Sequence, residues 1–333
     1  MTTPCIDAFK NLFIEIKNNN VAISACCVAL PTKTVSTIDF TNDPYLNKIR
    51  ESWTNGEYPP ACNNCKQAEE HLYESRRQGS NSWYADHELN NLDIELVKLD
   101  FWTGDICNLA CVICDPHNSS TWKKELKFPV AVRKSTVNNY WKNIDMTKLR
   151  VIHFNGGEPL LSKEHVNFLE AVPDKSKVQL NYNTNGTILP SAHLLELWEK
   201  FNLVQVDISI DDVGERFEYQ RYPAKWESVT QNLQWYINNS PHNCMFGTNT
   251  SVGILNHDNV DVLMLWLSQN FNTSKFTDPI SHRKQLTRGI FALENAHSRA
   301  NSIIDFLDKC DQRRGTKWTS VFPNLLDYLK TAK

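Results

Sequence analysis

The sequence predicts an α/β protein built on a parallel sheet, open or curled into a barrel, behind a small cysteine-rich α+β unit. Three observations carry that prediction. From about residue 95 onward, strand-like apolar runs alternate with helical stretches, the rhythm of βα units. The residues suited to chemistry fall where those strands end, the rim on which βα folds gather function. Eight of the ten cysteines precede residue 115, leaving only Cys244 and Cys310 beyond, so metal chemistry is expected near the front.

Residues 1–84 form the front unit. Leu12–Lys17 and Val21–Cys26 read as short strands around the turn Asn18–Asn20. A helix over Pro44–Trp53 follows from Tyr45, Ile49 and Trp53 at i, i+4 and i+8. After Pro59–Cys65 a second helix is expected over Lys66–Ser75, with Glu69, Glu70 and Arg76 on its polar side, and residues 85–94 read as a linker. The main domain, 95–275, takes strands at Leu96–Phe101, Leu149–Phe154, Val178–Asn183, Leu203–Ile210 and Met245–Val252. Its helices are expected at Lys163–Val172, Ser191–Phe201, Trp226–Ile237 and Val260–Asn270. Phe276–Leu293 gives no clear strand, and 276–333 reads as a mostly helical extension packed on the barrel.

Composition narrows the function. A net charge of −3 over 333 residues, with a pI near 6.4, gives no basic footprint for nucleic acid. The basic runs at Lys123–Lys127 and His282–Arg288 read as solvated faces. No apolar run approaches the ~20 residues of a membrane span, and the N-terminus lacks a signal-peptide pattern. The expected location is therefore the cytoplasm, where cysteines serve metals or catalysis more than disulfides. The ten histidines show no His-Glu-x-x-His or C2H2 spacing, and His153 reads as a packed strand residue. Trp198, Trp226, Trp235 and Trp266 sit in helical patterns and read as packing; Cys244 and Cys310 read as core or surface thiols.

Cys107, Cys111 and Cys114 stand as C-x3-C-x2-C just after the first strand of the main domain. Fe–S clusters normally take four cysteines. Three leave one iron with a coordination site for a small molecule. Spacing alone also allows a zinc knuckle with a distant fourth ligand. The later strands end in Asn155–Pro159, Asn183–Gly186 and Ser209–Asp212. Glycine is scarce, 11 residues in all, so the adjacent Gly156 and Gly157 answer a specific backbone demand. At the front, Cys62 and Cys65 form a C-x2-C that Cys5 and either Cys26 or Cys27 can complete. Four thiolates suit structural zinc or a fully ligated 4Fe-4S cluster.

Together these motifs resemble radical S-adenosylmethionine (SAM) enzymes. Cys107–Cys114 resembles the cluster loop of that family, and Gly156–Pro159 resembles its SAM-amino motif. Asn183–Gly186, Ser209–Asp211 and Glu218–Glu227 resemble the subgroup that carries an extra cluster in a SPASM or twitch domain. The order of parts, with Cys5, Cys26, Cys27, Cys62 and Cys65 in front and Asp311–Pro323 behind, resembles members whose twitch-type domain precedes the barrel.

The resemblance implies a partial (β/α)6 TIM-like barrel with a 4Fe-4S cluster on Cys107, Cys111 and Cys114. SAM would chelate the fourth iron through its amino and carboxylate groups. One electron would then cleave the S–C bond to methionine and a deoxyadenosyl radical. Gly156, Gly157 and Glu158 are expected to bind the SAM ammonium, and Asn183, Asn185 and Ser209 its ribose or carboxylate. Arg221 is expected on the carboxylate, which a guanidinium can engage bidentately. Ile113 stands where the family often has an aromatic residue on the adenine, so an aliphatic side chain would cover the base. The front cysteines would hold a second, auxiliary 4Fe-4S cluster, with Cys26 aligning better than Cys27 and zinc as the alternative. A peptide or protein substrate is implied, with a small metabolite, sugar or nucleotide as the alternative. A non-catalytic electron carrier or zinc-braced binding module is the reading from another class, against which the SAM motifs count. An electron donor such as flavodoxin or ferredoxin would serve the cluster.

Overall fold

The computed structural model describes residues 3–17, 20–128, 140–141, 143–271, 283–286, 291–292 and 296–331. In chain order these form α1 (Asp7–Lys10), β1 (Asn11–Lys17), β2 (Asn20–Ser24), β3 (Lys33–Val35), α2 (Pro44–Thr54), α3 (Asn63–Glu70) and α4 (Arg76–Asp86). There follow β4 (Lys98–Trp102), α5 (Ser120–Glu125), β5 (Val151–Asn155), α6 (Lys163–Ala171), β6 (Gln179–Thr184), α7 (Ala192–Trp198) and β7 (Leu203–Ser209). The chain ends with α8 (Gly214–Gln220), α9 (Trp226–Asn239), β8 (Cys244–Val252), α10 (Val260–Asn270), β9 (Arg283–Leu286), α11 (Ala300–Arg314), α12 (Trp318–Val321) and α13 (Leu325–Thr331). From β4 to β8 strands alternate with helices, and β4–β5 and β7–β8 pair in parallel, the pattern of an α/β fold. Among the described residues no helix is long and apolar enough to cross a membrane.

The chain divides into two compact units. The first holds residues 1–104, 131–181 and 200–203. Its strands run in the order β3-β2-β1-β4-β5-β6. β1 and β2 are antiparallel, as a hairpin requires, and residues 18–19 of the expected turn lie outside the described residues. β1 then pairs in parallel with β4, Asn11 opposite Lys98 and Ile14 opposite Phe101, so the front strands extend the sheet that β4 begins. α2 starts where Asp43 accepts the amide hydrogens of Tyr45 (2.8 Å) and Leu46 (3.2 Å), and it buries Leu46, Ile49 and Trp53 along one stripe. The helix expected over Lys66–Ser75 is corrected: α3 begins at Asn63 and stops at Glu70, and Ser75 instead opens α4. There Ser75 and Gln78 form a reciprocal capping box. A polar residue at a helix end reads the same whether it stops one helix or starts the next, so periodicity fused the two.

The second unit holds residues 105–130, 182–199 and 204–333. β7, β8 and β9 run parallel, with Ser209 opposite Asn249 and Asn249 opposite Arg283. The absence of a strand over Phe276–Leu293 is thus corrected: β9 lies at Arg283–Leu286. Its four residues, Arg-Lys-Gln-Leu, carry none of the β-branched or aromatic side chains by which strands are recognised. The rest of that segment falls largely outside the described residues. One face of β7 buries Val204, Val206 and Ile208, with Phe246 beside them on β8. A separate apolar cluster joins Ile254, Leu255, Ile303, Leu307, Trp318, Phe322 and Leu325, so α11–α13 pack on this unit through a core of their own. Cys244 and Cys310 are fully buried.

Candidate radical SAM site

The loop Cys107–Cys114 has no regular secondary structure, yet its main chain is tied down almost residue by residue. The Ala110 and Val112 amides donate to the carbonyls of Tyr222 (2.6 Å) and Gln220 (2.8 Å). The Cys107 carbonyl accepts from the hydroxyls of Ser120 (3.0 Å) and Thr121 (2.7 Å), and the Leu109 carbonyl from Ser119 (2.5 Å). The Cys111 carbonyl accepts from the Trp122 indole (2.8 Å). An irregular loop whose polar backbone is satisfied by fixed side chains is organised before any ligand arrives. Lys123, expected on a solvated face, is instead ion-paired with Asp105 at the start of this loop.

None of the ten cysteines is in a disulfide. Burial pushes the Cys111 thiol up, opposed by the guanidiniums of Arg221 and Arg314. Burial and the neighbouring Cys111 push Cys114 up to about 12. Such thiols ionise only when a positive centre compensates them, which is what a metal centre supplies. Three soft sulfur donors on one braced loop fit an iron–sulfur cluster.

Asn185 is 7% exposed and turned toward this loop. Its Nδ2 donates to Asn108 Oδ1 (3.0 Å) and approaches Cys107 Sγ (3.9 Å), while its Oδ1 accepts from the Thr187 amide (2.9 Å) and hydroxyl (2.6 Å). Asn108 closes the ring by donating to Thr187 Oγ1 (2.7 Å). Gly186 takes φ +73°, and a Cβ there would lie 2.7 Å from Ile208 Cγ2, so this turn requires glycine. Asn183 lies on β6 and Ser209 ends β7, half-buried. Arg221 already has a protein partner: its Nη2 sits 2.8 Å from Asp211 Oδ2, both side chains are buried, and among the described residues its Nε has no hydrogen-bond partner. Ile113 packs against the core of the C-terminal helices.

In the first unit, Gly156 follows β5 with φ +137°, and a Cβ there would lie 2.8 Å from both the Gly104 carbonyl and Thr103 Oγ1. The Gly157 amide donates to the same carbonyl at 2.7 Å. The backbone demand read from this glycine pair is therefore close packing on the end of β4. Glu158 is fully buried and accepts the Leu160 amide hydrogen (3.1 Å) at the start of the turn Pro159–Leu161.

Cys5, Cys26, Cys62 and Cys65 are each buried to within 8% exposure. They come from the start of α1, the end of β2, the turn Pro60–Cys62 and the first turn of α3. Burial raises the Cys5 thiol first, and Asp7, Cys62 and Cys65 raise it further; Cys26 is raised by burial, Asp7 and Cys5. Cys62 is pushed up to about 12 by burial and by Cys65. Cys27 is placed differently, half-buried with its sulfur accepting from Arg76 Nη1 at 3.2 Å. Arg76 also pairs with Asp7 (3.3 Å) and Asp100 (2.7 Å). Among the described residues no three His, Cys, Asp or Glu side chains converge on a point that holds a single metal ion. A four-iron cluster asks something different, one thiolate at each iron.

Sequence reasoning overlooked Asn108, Thr187, Trp122 and Arg314, which carry no metal-ligand spacing; only the run Asp311–Pro323 pointed toward Arg314.

The model of the radical SAM superfamily matches residues 103–265. The chain is 25% identical over 179 residues to the GTP 3′,8-cyclase of Desulforamulus reducens, covering 53% of this chain and 54% of that protein. It is 26% identical over 134 residues to the GTP 3′,8-cyclase of Listeria welshimeri serovar 6b, covering 39% and 38%. The match thus spans about half the length, or less, of these curated relatives. Among solved structures, anSMEcpe with bound AdoMet and the Cp18Cys peptide aligns over 63% of this chain and 59% of its own, at TM-score 0.42 and 16% identity. Streptococcus suis SuiB bound to precursor peptide SuiA aligns over 98% and 75%, at TM-score 0.42 and 11% identity. Residues 103–265, with the braced three-cysteine loop near their start, are the stretch of this chain that matches the radical SAM superfamily.

Proposed function

We propose that the chain is a radical SAM oxidoreductase that abstracts hydrogen from a peptide or protein. The observation that carries this reading is the loop itself: three thiols on a main chain whose Cys107, Leu109 and Cys111 carbonyls are clamped by Ser119, Ser120, Thr121 and Trp122, inside a matched radical SAM domain. Cys107, Cys111 and Cys114 would hold a 4Fe-4S cluster with SAM, which together would supply the one-electron chemistry for hydrogen abstraction. The residues of the chain bind and orient. Gly156, Gly157 and buried Glu158 present carbonyls and a carboxylate suited to an ammonium group. Asn183, Asn185 and Ser209 offer short polar groups to ribose or carboxylate, Ile113 an apolar cover for adenine, and Arg221 Nε a free donor for a carboxylate.

For the substrate, Gln205, Asp207 and Ser209 on β7 and Asn249 on β8 repeat at the two-residue period of one strand face. Amides and a carboxylate pair well with peptide groups and poorly with a polyphosphate. A nucleotide substrate is the second reading, supported by the GTP 3′,8-cyclase relatives. Residues 1–84 would serve as a twitch-like domain with an auxiliary 4Fe-4S cluster on Cys5, Cys26, Cys62 and Cys65. The mutual proximity of those thiols supports that set, and the engagement of Cys27 by Arg76 supports Cys26 as the ligand. Residues 95–275 would form the barrel and 276–333 its extension. A cytoplasmic flavodoxin or ferredoxin would deliver the electron.

Anaerobically reconstituted protein should release 5′-deoxyadenosine with dithionite and SAM, and hold about eight irons per chain. Replacing Cys107, Cys111 and Cys114 together by Ala should abolish release and leave about four irons. Release that persists in this variant would overturn the assignment. Four irons plus one zinc in the unmodified protein would make the front site structural, and consumption of added GTP would favour the nucleotide reading.

A further inference from the structure

We infer that Arg314, the last residue of α11, is a positioning residue for the cysteine loop. It fixes the conformation of the loop and holds a positive charge beside Cys111. This rests on the proposed cluster at Cys107, Cys111 and Cys114.

α11 ends on Gly315, whose φ of +67° and hydrogen bond to the Asp311 carbonyl (2.8 Å) stop the helix and leave Arg314 facing inward. Asp311 locks that turn by accepting from the Tyr219 hydroxyl (3.0 Å), the Thr316 hydroxyl (2.7 Å) and the Trp318 amide (2.8 Å). The Arg314 side chain is 2% exposed. Its guanidinium carbon lies 4.6 Å from the ring centroids of both Trp122 and Tyr222. Nε reaches both oxygens of Glu125 at 3.2 Å, and Nη2 donates to the Ala110 carbonyl at 2.8 Å.

Each aromatic partner of Arg314 also grips the loop. Trp122 donates to the Cys111 carbonyl, and the Tyr222 carbonyl receives the Ala110 amide. Arg314 therefore supplies the donor to the Ala110 carbonyl, beside the donors that the carbonyls of Cys107, Leu109 and Cys111 take from Ser119, Ser120, Thr121 and Trp122. Packing alone does not require a charge here. An apolar side chain would fill the space between two rings without the desolvation cost of a buried guanidinium. What the guanidinium adds is a fixed positive charge near Cys111, held by two rings and one carboxylate, which favours the more negative, reduced state of a cluster bound there.

The test uses the full-length reconstituted protein as wild type, R314Q and R314K. The reduced cluster is followed by electron paramagnetic resonance during a potential titration, and amide hydrogen exchange is measured on cluster-free protein. In R314Q the ratio of reduced to oxidised Cys107–Cys114 cluster at fixed potential should fall about tenfold, equivalent to about 59 mV for one electron. R314K, which keeps the charge and loses the planar fork, should stay within about threefold of wild type. Exchange at Ala110 and Val112 should accelerate at least tenfold in both variants. R314Q with an unchanged midpoint and spectrum overturns the electrostatic role, whatever its melting temperature. If R314Q fails to load iron, a midpoint for R314K displaced as far as tenfold overturns it instead. Unchanged exchange in both variants overturns the positioning role. A wild-type protein without a cluster at these cysteines would sink the proposed function, while the exchange comparison would still judge Arg314.

Discussion

Gly156→Ala is expected to destabilise the first unit far more than a glycine in a turn ordinarily would, and the structure separates the two costs. A side chain at φ +137° leaves the regions open to L-residues, at about 1–3 kcal/mol. The new Cβ would also lie 2.8 Å from the Gly104 carbonyl, which is backbone and itself receives the Gly157 amide. Forcing them apart adds about 1–3 kcal/mol of overpacking, for a total of about 2–6 kcal/mol. Gly315→Ala is the control. It has φ +67° with no atom within 4 Å of the added Cβ, so only about 1–2 kcal/mol of conformational cost applies. Urea midpoints read by tryptophan fluorescence on cluster-free protein give both numbers. If the two variants fall within about 0.5 kcal/mol of each other, close approach is not what selects glycine at 156.

Buried His165 gives a pH dependence. Burial lowers its pKa to about 4, opposed by a hydrogen bond with the Ser162 carbonyl. The folded chain thus binds fewer protons than the unfolded one between pH 6.5 and 4, so stability present at neutral pH is lost on acidification through that window. About 2.5 pH units at 1.36 kcal/mol each make the loss about 3 kcal/mol by pH 4. His165→Leu should flatten that slope, and equal acid sensitivity in both proteins would refute the assignment. Arg76→Ala should cost about 3–5 kcal/mol, because it removes the guanidinium that pairs with the buried carboxylates of both Asp7 and Asp100. Asp100→Asn in that background should recover part of the loss in a double-mutant cycle, and full additivity would show that the charges are independent.

The alternation of strands and helices from β4 to α10 was legible because each element there obeys its own period. Val204, Val206 and Ile208 alternate on β7, and the apolar residues of α9 recur at helical spacing. The cysteine loop was legible because metal ligands come in fixed spacings. What defeated the reading was structure specified from a distance. β9 has no strand composition and owes its conformation to the ladder with β8. Asn185 was readable as a polar group at a strand end, but its hydrogen bonds to Asn108 and Thr187 were not, one partner being far from it in sequence and the other unremarkable. Arg221 has the chemistry of a carboxylate binder, and nothing in its local sequence announced that its Nη2 pairs with Asp211. Lys123 and Arg314 sit in ordinary basic runs, and only burial against Asp105 and between two rings separates them from solvated neighbours.

The parallel pairing of β1 with β4, Asn11 opposite Lys98, bears on how this protein is made. On the ribosome, the first hairpin emerges well before the strand that covers its open side. Until residue 102 has cleared the exit tunnel, the edge through Leu12, Ile14 and Ile16 remains unsatisfied and prone to self-association. Fragments that stop at residue 84 inherit that edge permanently. Expression of the front segment by itself should give inclusion bodies.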